Sequence, residues 1–397
     1  MSFGPSLGAS GRRHMETQMP PLRIVALETL PPEKALFWKQ RIQHRYFAEA
    51  SLDWTEAHRA GQHPRFRVAY LEVWDGETPL ALAVFHSLTR FDLAPYMGGV
   101  VSRFLTWIGG TFGIRPLLTD LAFVEVPMSN VPGLQFAKGA EHRGREIGQA
   151  VLEYLRATEK YQMLLFKVQP EDAGDDQLAS LGLLTTPFLP NMRLSLAPYR
   201  SFDDYYKMRS SKRRSEIRDF KETFREAGGT IEMVEDFGPH LDRIIELLHQ
   251  TTEDHRRRNK FPPTIPDKRE FFEYCLNQIP VPKRRAFLAR IGSEIVAYSF
   301  CFESGQELML SHCGLDSPKT LPTRTYFNLY YAMIEHAISR GYKNFDMGAE
   351  AYTFKRKMGG REVATTYHFE VKSPFLGFIA KLASRFFASK DGVAKTA

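Results

Sequence analysis

Groups able to do acid–base chemistry crowd into one stretch, Gly341-Tyr-Lys-Asn-Phe-Asp-Met-Gly348 followed by Tyr352-Thr-Phe-Lys-Arg-Lys-Met-Gly-Gly360. Asp346 ends a short apolar run, where an unpaired carboxylate is costly, so it needs a partner. With Glu350 it can accept a proton, directly or through water, or it can merely cap the next turn. Tyr352 can protonate a leaving group or pack. Read on composition, Lys355 beside Arg356 and Lys357 is a solvated loop lysine. His312 and Cys313 end a predicted strand and can face a cleft. A cysteine nucleophile needs a base paired with it in space, which spacing does not supply, and core cysteines are common.

Two stretches suit an anion. His142-Arg-Gly-Arg-Glu-Ile-Gly-Gln149 stands at a predicted helix start, where successive backbone N–H groups suit a pyrophosphate. The stretch holds Arg143, Gly144 and Gly148, but a Glu146 carboxylate facing a pyrophosphate is unfavourable, and the alternative is the charged first turn of an ordinary helix. Lys212, Arg213 and Arg214 form a dense triplet, and arginine grips phosphate with a bidentate fork. A solvated face, partly neutralised by Asp203, Asp204, Glu216 and Asp219, is the plainer reading. A second basic run, Arg256, Arg257, Arg258 and Lys260, follows another helical pattern.

These residues are set in elements whose order occurs twice. The first copy has a helical pattern from Glu33 to Glu49 and a hairpin, Phe66–Trp74 and Leu80–Ser87, turning at Asp75-Gly76. It continues with a strand at Leu121–Val126, a helix from about Arg145 to Lys160, a strand at Met163–Val168 and a closing strand at Asn191–Leu196. The second copy runs helix Leu241–Arg257, hairpin Ala286–Arg290 and Ile295–Phe302, strand Glu307–His312, helix from about Thr325 to Arg340, strand Lys343–Met347 and closing strand Val363–Val371. Thr320-Leu-Pro-Thr-Arg-Thr325 stands where the first copy has its glycine-containing cradle; it lacks glycine, but its Thr and Arg side chains can hold an anion. Between the copies lies one charged helix, Phe202–Glu226, N-capped by Ser201.

The length of 397 residues fits two α/β units of this kind, and 43% hydrophobic with 25% charged residues excludes wholesale disorder. A net charge of +7 allows an anionic ligand, RNA or a membrane surface without demanding one. Three cysteines without C-x-x-C or metal-ligand spacing argue for a reducing compartment and against a zinc site or a disulfide framework. Residues 1–21 read as a loose tail lacking the apolar core of a secretory signal. Tyr96–Ile114, broken by Arg103 and glycines, reads as a surface segment able to touch a bilayer but not span it. Phe375–Phe387 is an amphipathic pattern that either docks on its own domain or lies on an anionic membrane.

The order helix, hairpin, strand, helix, strand, strand resembles the GNAT acyltransferase fold. Tyr199–Arg218, with its aromatic-acidic start and Ser-Lys-Arg-Arg run, is similar to the linker helix of FemA/FemB/FemX-like proteins. The Asp-x-Gly at Asp346–Gly348 and the Phe354-Lys355 pair are similar to that family's closing pattern. The resemblance covers Leu22 to Val371. It implies an α/β protein of two tandem GNAT-like units, each a mixed, mostly antiparallel sheet flanked by helices. The expected division is tail 1–21, first unit 22–198, linker helix plus second unit 199–372, and amphipathic helix and tail 373–397. It also implies an N-acyltransferase joining an acyl or aminoacyl group from a phosphorylated carrier to the amine of an amino acid, amino sugar or peptide. The donor is acyl-CoA or a similar thioester; one linker helix, in place of a long arm, favours that over aminoacyl-tRNA. Lys355 then balances developing negative charge, while Asp346, Glu350 and Tyr352 handle protons. Arg143, Gly144, Gly148, Lys212, Arg213 and Arg214 hold the carrier, and His312 and Phe354 touch substrate, with no metal. The implied location is cytoplasmic or at the membrane's inner face. The rival reading is a catalytically silent GNAT-like module that binds RNA or a membrane.

Overall fold

The structure, a computed structural model, describes residues 22–42, 49–61, 65–94, 104, 107, 109–113, 117–129, 131–169, 175–257, 269–374 and 377. The tail 1–21, Arg258, Lys260, most of Tyr96–Ile114 and all of Phe375–Phe387 except Gly377 lie outside them.

Seven strands come from the first half: β1 (Arg23–Leu27), β2 (Phe66–Asp75), β3 (Thr78–Asp92), β4 (Leu118–Val124), β5 (Leu134–Phe136), β6 (Met163–Val168) and β7 (Leu184–Ser195). Six come from the second: β8 (Gly229–Val234), β9 (Arg284–Ile291), β10 (Glu294–Ser304), β11 (Glu307–Leu315), β12 (Asn344–Asp346) and β13 (Arg361–Val371). The Asp75-Gly76 turn forms as the sequence predicts, with Gly76 at φ 54°, and the second hairpin turns at Gly292 with φ 59°. β1, β8 and the helix Arg269–Gln278 carry no signal that the pattern reading picks out.

All thirteen strands join in one sheet, ordered β1-β2-β3-β4-β6-β13-β7-β12-β11-β10-β9-β8, with β5 on β3. The order is mirrored about its centre. Pairing is antiparallel except for β4 with β6 and β11 with β12. The closing strands are exchanged: β13 runs along β6 of the first half, with Thr366 opposite Val168, and β7 runs along β12 of the second, with Arg193 opposite Asp346. The repeat reading expects each copy to close its own sheet. Strand pairing is non-local, so element order along the chain does not fix it.

Two further expectations change. Residues 202–226 form two helices, Phe202–Lys207 and Ser211–Glu226, because Ser210 N-caps the second, its Oγ accepting the Arg213 N–H at 3.4 Å. The expected Ser201 cap does form, its Oγ accepting from Asp204 N–H at 3.1 Å. β11 continues to Leu315, so His312 and Cys313 lie inside a strand.

Two main cores pack against the sheet. One joins the halves: Trp54 on the helix Glu49–Ala60 lies 5.1 Å from Phe302 of β10. The other surrounds the helix Thr325–Ser339, whose Leu329, Tyr330, Met333 and Ile334 are buried with Phe345, Met192 and Tyr205.

Candidate active site

The parallel register of β11 and β12 stops at Met309 opposite Asp346, while β11 stays paired with β10 up to Leu315. Past Asp346 the chain leaves the sheet, turns, and forms the short helix Tyr352–Lys357. Lys355, on this helix, is 3% exposed, and Cys313 of β11 is among the groups that act on it. Its ammonium donates to the Gly348 carbonyl at 3.1 Å and the Ala349 carbonyl at 2.6 Å. An ammonium has three donors, and the described residues engage two of them. Burial pulls the Lys355 pKa down to about 8, against the opposing pull of Cys313, Asp346 and Glu350. The plain reading of Lys355 as a solvated loop cation does not survive.

Asp346 holds the turn. Its Oδ1 accepts the Gly348 N–H at 2.8 Å, and its Oδ2 accepts from Asn191 Nδ2 at 2.7 Å. Arg193, ion-paired with Glu307 at 3.1 Å, stands 4.0 Å from the same oxygen. Both carboxylate oxygens therefore have structural partners. Glu350 and Ala351 follow in left-handed conformation, φ 63° and 48°, which costs non-glycine residues of the order of 1 kcal/mol each. Glu350 is half-buried and acts electrostatically on Lys355. Tyr352 is buried and donates to the Pro190 carbonyl at 3.1 Å, and burial raises its pKa to about 12. Phe354 packs on Tyr326, Phe327 and Tyr330, with ring centroids 4.7 to 4.8 Å away.

Side chains alternate along β11. Cys313 is near Lys355, and burial raises its thiol pKa, which works against a thiolate nucleophile. His312 projects into the other core, 4.8 Å from Phe271 and 6.0 Å from His58, with Nδ1 at 2.5 Å from Ser311 Oγ. The fold thus gathers Lys355, Asp346, Glu350, Tyr352 and Phe354 with Cys313, and sends His312 elsewhere.

The anion candidates separate in the same way. Arg143 makes two bonds to Glu146, at 2.8 and 2.9 Å, and one to Asp75 at 2.7 Å. Gln177 occupies the start of the helix Gly144–Thr158: its Oε1 accepts the Arg145 N–H at 2.9 Å. A Cβ at Gly144 would collide with Gln177, and one at Gly148 with Leu178. These glycines make room for protein, not for phosphate. The helix Thr325–Ser339 begins differently. Arg324 is left-handed at φ 57° and exposed, and among the described residues no side chain caps the helix. In the linker, Arg213 pairs with Glu216 and Arg214 donates to the Arg209 carbonyl at 2.7 Å; Lys212 is exposed.

The pattern reading misses Asn191, Pro190 and Arg193. The available signal was Asn191 itself, a polar residue with low strand propensity within a strand.

The family model described as acetyltransferase (GNAT) domain matches residues 211–356. This region contains the end of the β11–β12 register and Lys355. The chain has a tandem GNAT fold. FemX superposes with a TM-score of 0.54 at 11% identity, over 86% of this chain and 96% of that one. L-PGS from Bacillus licheniformis gives 0.52 at 13%, over 90% and 98%. The tandem GNAT protein from the clavulanic acid biosynthesis pathway gives 0.51 at 10%, over 89% and 99%. No curated protein matches the sequence. Within this fold the two halves differ: among the described residues no side chain caps the start of the helix Thr325–Ser339, whereas Gln177 fills the start of the helix Gly144–Thr158. Among the described residues no helix is long and apolar enough to cross a membrane.

Proposed function

We propose that the second half is an N-acyltransferase site. An amine of an amino acid, amino sugar or peptide attacks the carbonyl of an acyl group held on a phosphorylated carrier of the acyl-CoA or related thioester class; the carbon–nitrogen bond forms, the carbon–sulfur bond breaks, and the carrier leaves as its thiol, taking up a proton as the amine loses one. The observation that carries this reading is the buried Lys355 ammonium, fixed by two carbonyls just past the end of the β11–β12 register, with its third donor uncommitted among the described residues. A fixed positive donor in a dry site stabilises the oxyanion that forms when the amine adds. With a pKa of about 8, Lys355 also lies close enough to neutrality to give or take a proton. The start of the helix Thr325–Ser339, uncapped among the described residues, with Arg324, suits the carrier's phosphates. Glu350 is the carboxylate better placed to receive the amine proton, since Asp346 is engaged by Asn191 and Gly348. The first half supports the second rather than holding a carrier, because Gln177 and the Arg143–Glu146 pair fill its helix start. Its place in the cell under this reading is the cytoplasm.

Mass spectrometry of the small molecule co-purifying with the protein identifies the donor, and adenosine diphosphate chemistry marks coenzyme A. Transfer is then measured with that donor and a panel of amines. Lys355→Met is expected to keep donor binding and lose about 10²–10³-fold in kcat. Full turnover by that variant overturns the assignment.

A further inference from the structure

The second half does not complete its own site. We propose that Asn191, on β7 of the first half, is a positioning residue for Lys355, clamping the Asp346–Ala349 turn whose carbonyls hold the ammonium. This rests on the reading of Lys355 as the reacting-centre donor.

The clamp is a continuous chain of hydrogen bonds. Asn191 is 1% exposed and uses both ends of its amide. Nδ2 donates to Asp346 Oδ2 at 2.7 Å, and Oδ1 accepts the Met192 N–H at 2.8 Å. That same Met192 N–H also reaches the Gly348 carbonyl at 3.1 Å, while the Met347 N–H donates back to the Met192 carbonyl at 2.8 Å. Asp346 Oδ1 then holds the Gly348 N–H at 2.8 Å. The Gly348 carbonyl, fixed on both sides, accepts from Lys355 at 3.1 Å. One residue upstream, the Pro190 carbonyl anchors Tyr352 and with it the helix bearing Lys355. Residues held in left-handed conformation persist only where their surroundings over-determine them. Glu350 and Ala351 are two such residues in succession, directly after this clamp. The exchanged strand therefore fixes both ends of the segment 346–355. A displacement of about 1 Å at a reacting group can cost 10²-fold in rate, so this is where a remote amide gains leverage.

Lys355 is faced by Cys313 from β11, Asp346 at the end of β12 and Glu350 in the turn, with Arg193 and Glu307 behind Asp346. Asn191→Ser shortens the side chain and removes the bridge without adding charge. The released turn lets water reach the ammonium. The readout is the titration midpoint of Lys355 in full-length protein carrying ¹³Cε-lysine, with the resonance assigned through Lys355→Met. The expected result in Asn191→Ser is an upward move of about one unit or more, towards an ordinary lysine, with kcat reduced about tenfold or more and donor KM unchanged. A residue that only supports the fold would lower the melting temperature and leave the midpoint in place. Should Asn191→Ser not fold, Asn191→Leu, of similar volume, breaks the same bond. A folded variant with an unmoved midpoint and wild-type turnover overturns the proposal. Failure of both variants to fold also overturns it, since Asn191 would then be a folding residue. If Lys355→Met keeps full turnover while Asn191→Ser still shifts the midpoint, the acyl-transfer reading falls and the clamp stands.

Discussion

A buried lysine carries a cost that depends on pH. The Lys355 pKa is about 8 in the folded chain against 10.5 for the ordinary group, and burial is the main cause. Between those values the unfolded chain binds more protons than the folded one, so stability rises with pH through that window. A displacement of this size corresponds to about 3 kcal/mol across the full interval. Urea unfolding of wild type and Lys355→Met at several pH values isolates the contribution. The wild type is expected to gain on the variant by about 2–3 kcal/mol between pH 8 and pH 10.5. Parallel pH dependences would mean that Lys355 is solvated and that the site is not dry. Such a cost is retained where chemistry needs the group. Asp346 is the counter-example at this scale: it ends an apolar strand as the pattern suggests, yet its oxygens are engaged by Asn191 and Gly348, so under the proposed reading its part is to shape the turn that holds Lys355.

At the scale of elements, the exchanged strand β13 is the test. It lies between β6 and β7, with Thr366 opposite Val168 on one side and Pro187 on the other. Proline there removes a donor inside a sheet and is expected to cost about 3 kcal/mol or more. Because β13 belongs to the second half by sequence and lies beside β6 of the first, Thr366→Pro should expose amides in both halves to hydrogen exchange. Loss of protection confined to 284–371 would show that the halves open independently. The elements themselves were largely legible. Asp75-Gly76 announces its hairpin, Met163–Val168 reads as the strand it is, and Gly341, at φ 73°, ends the helix Thr325–Ser339 close to where the apolar stripe stops. What they join was not legible. Gly144 and Gly148 look like a phosphate cradle in one dimension, because nothing local says that Gln177 and Leu178, about one helix and one strand further on, fill that space. Lys355 was found through its neighbours Asp346 and Phe354 in the chain, whereas Asn191 touches the site across 155 positions of sequence.

For the whole molecule, the mirrored strand order makes the boundary between residues 198 and 199 a boundary of sequence. Cutting there leaves β12 without β7 and β6 without β13, and each cut exposes an unpaired strand edge that invites aggregation. A fragment spanning 199–374 keeps Lys355, Asp346 and Glu350 but loses Asn191 and Pro190, so Asp346 Oδ2 and the Tyr352 hydroxyl lose their partners. A buried carboxylate oxygen left without its donor costs of the order of 1–3 kcal/mol, beyond the loss of the sheet pairing. Expressed alone, 199–374 is expected to be insoluble or unfolded and inactive. Co-expressed with 22–198 it should be recovered as a complex, because each fragment supplies the strand that closes the other's sheet. Co-purification through a tag on either fragment, followed by acyl transfer with the identified donor, provides the measurement. A folded, monomeric 199–374 with full turnover would mean that the second half closes itself, and the exchanged strands would then contribute neither to its stability nor to its site.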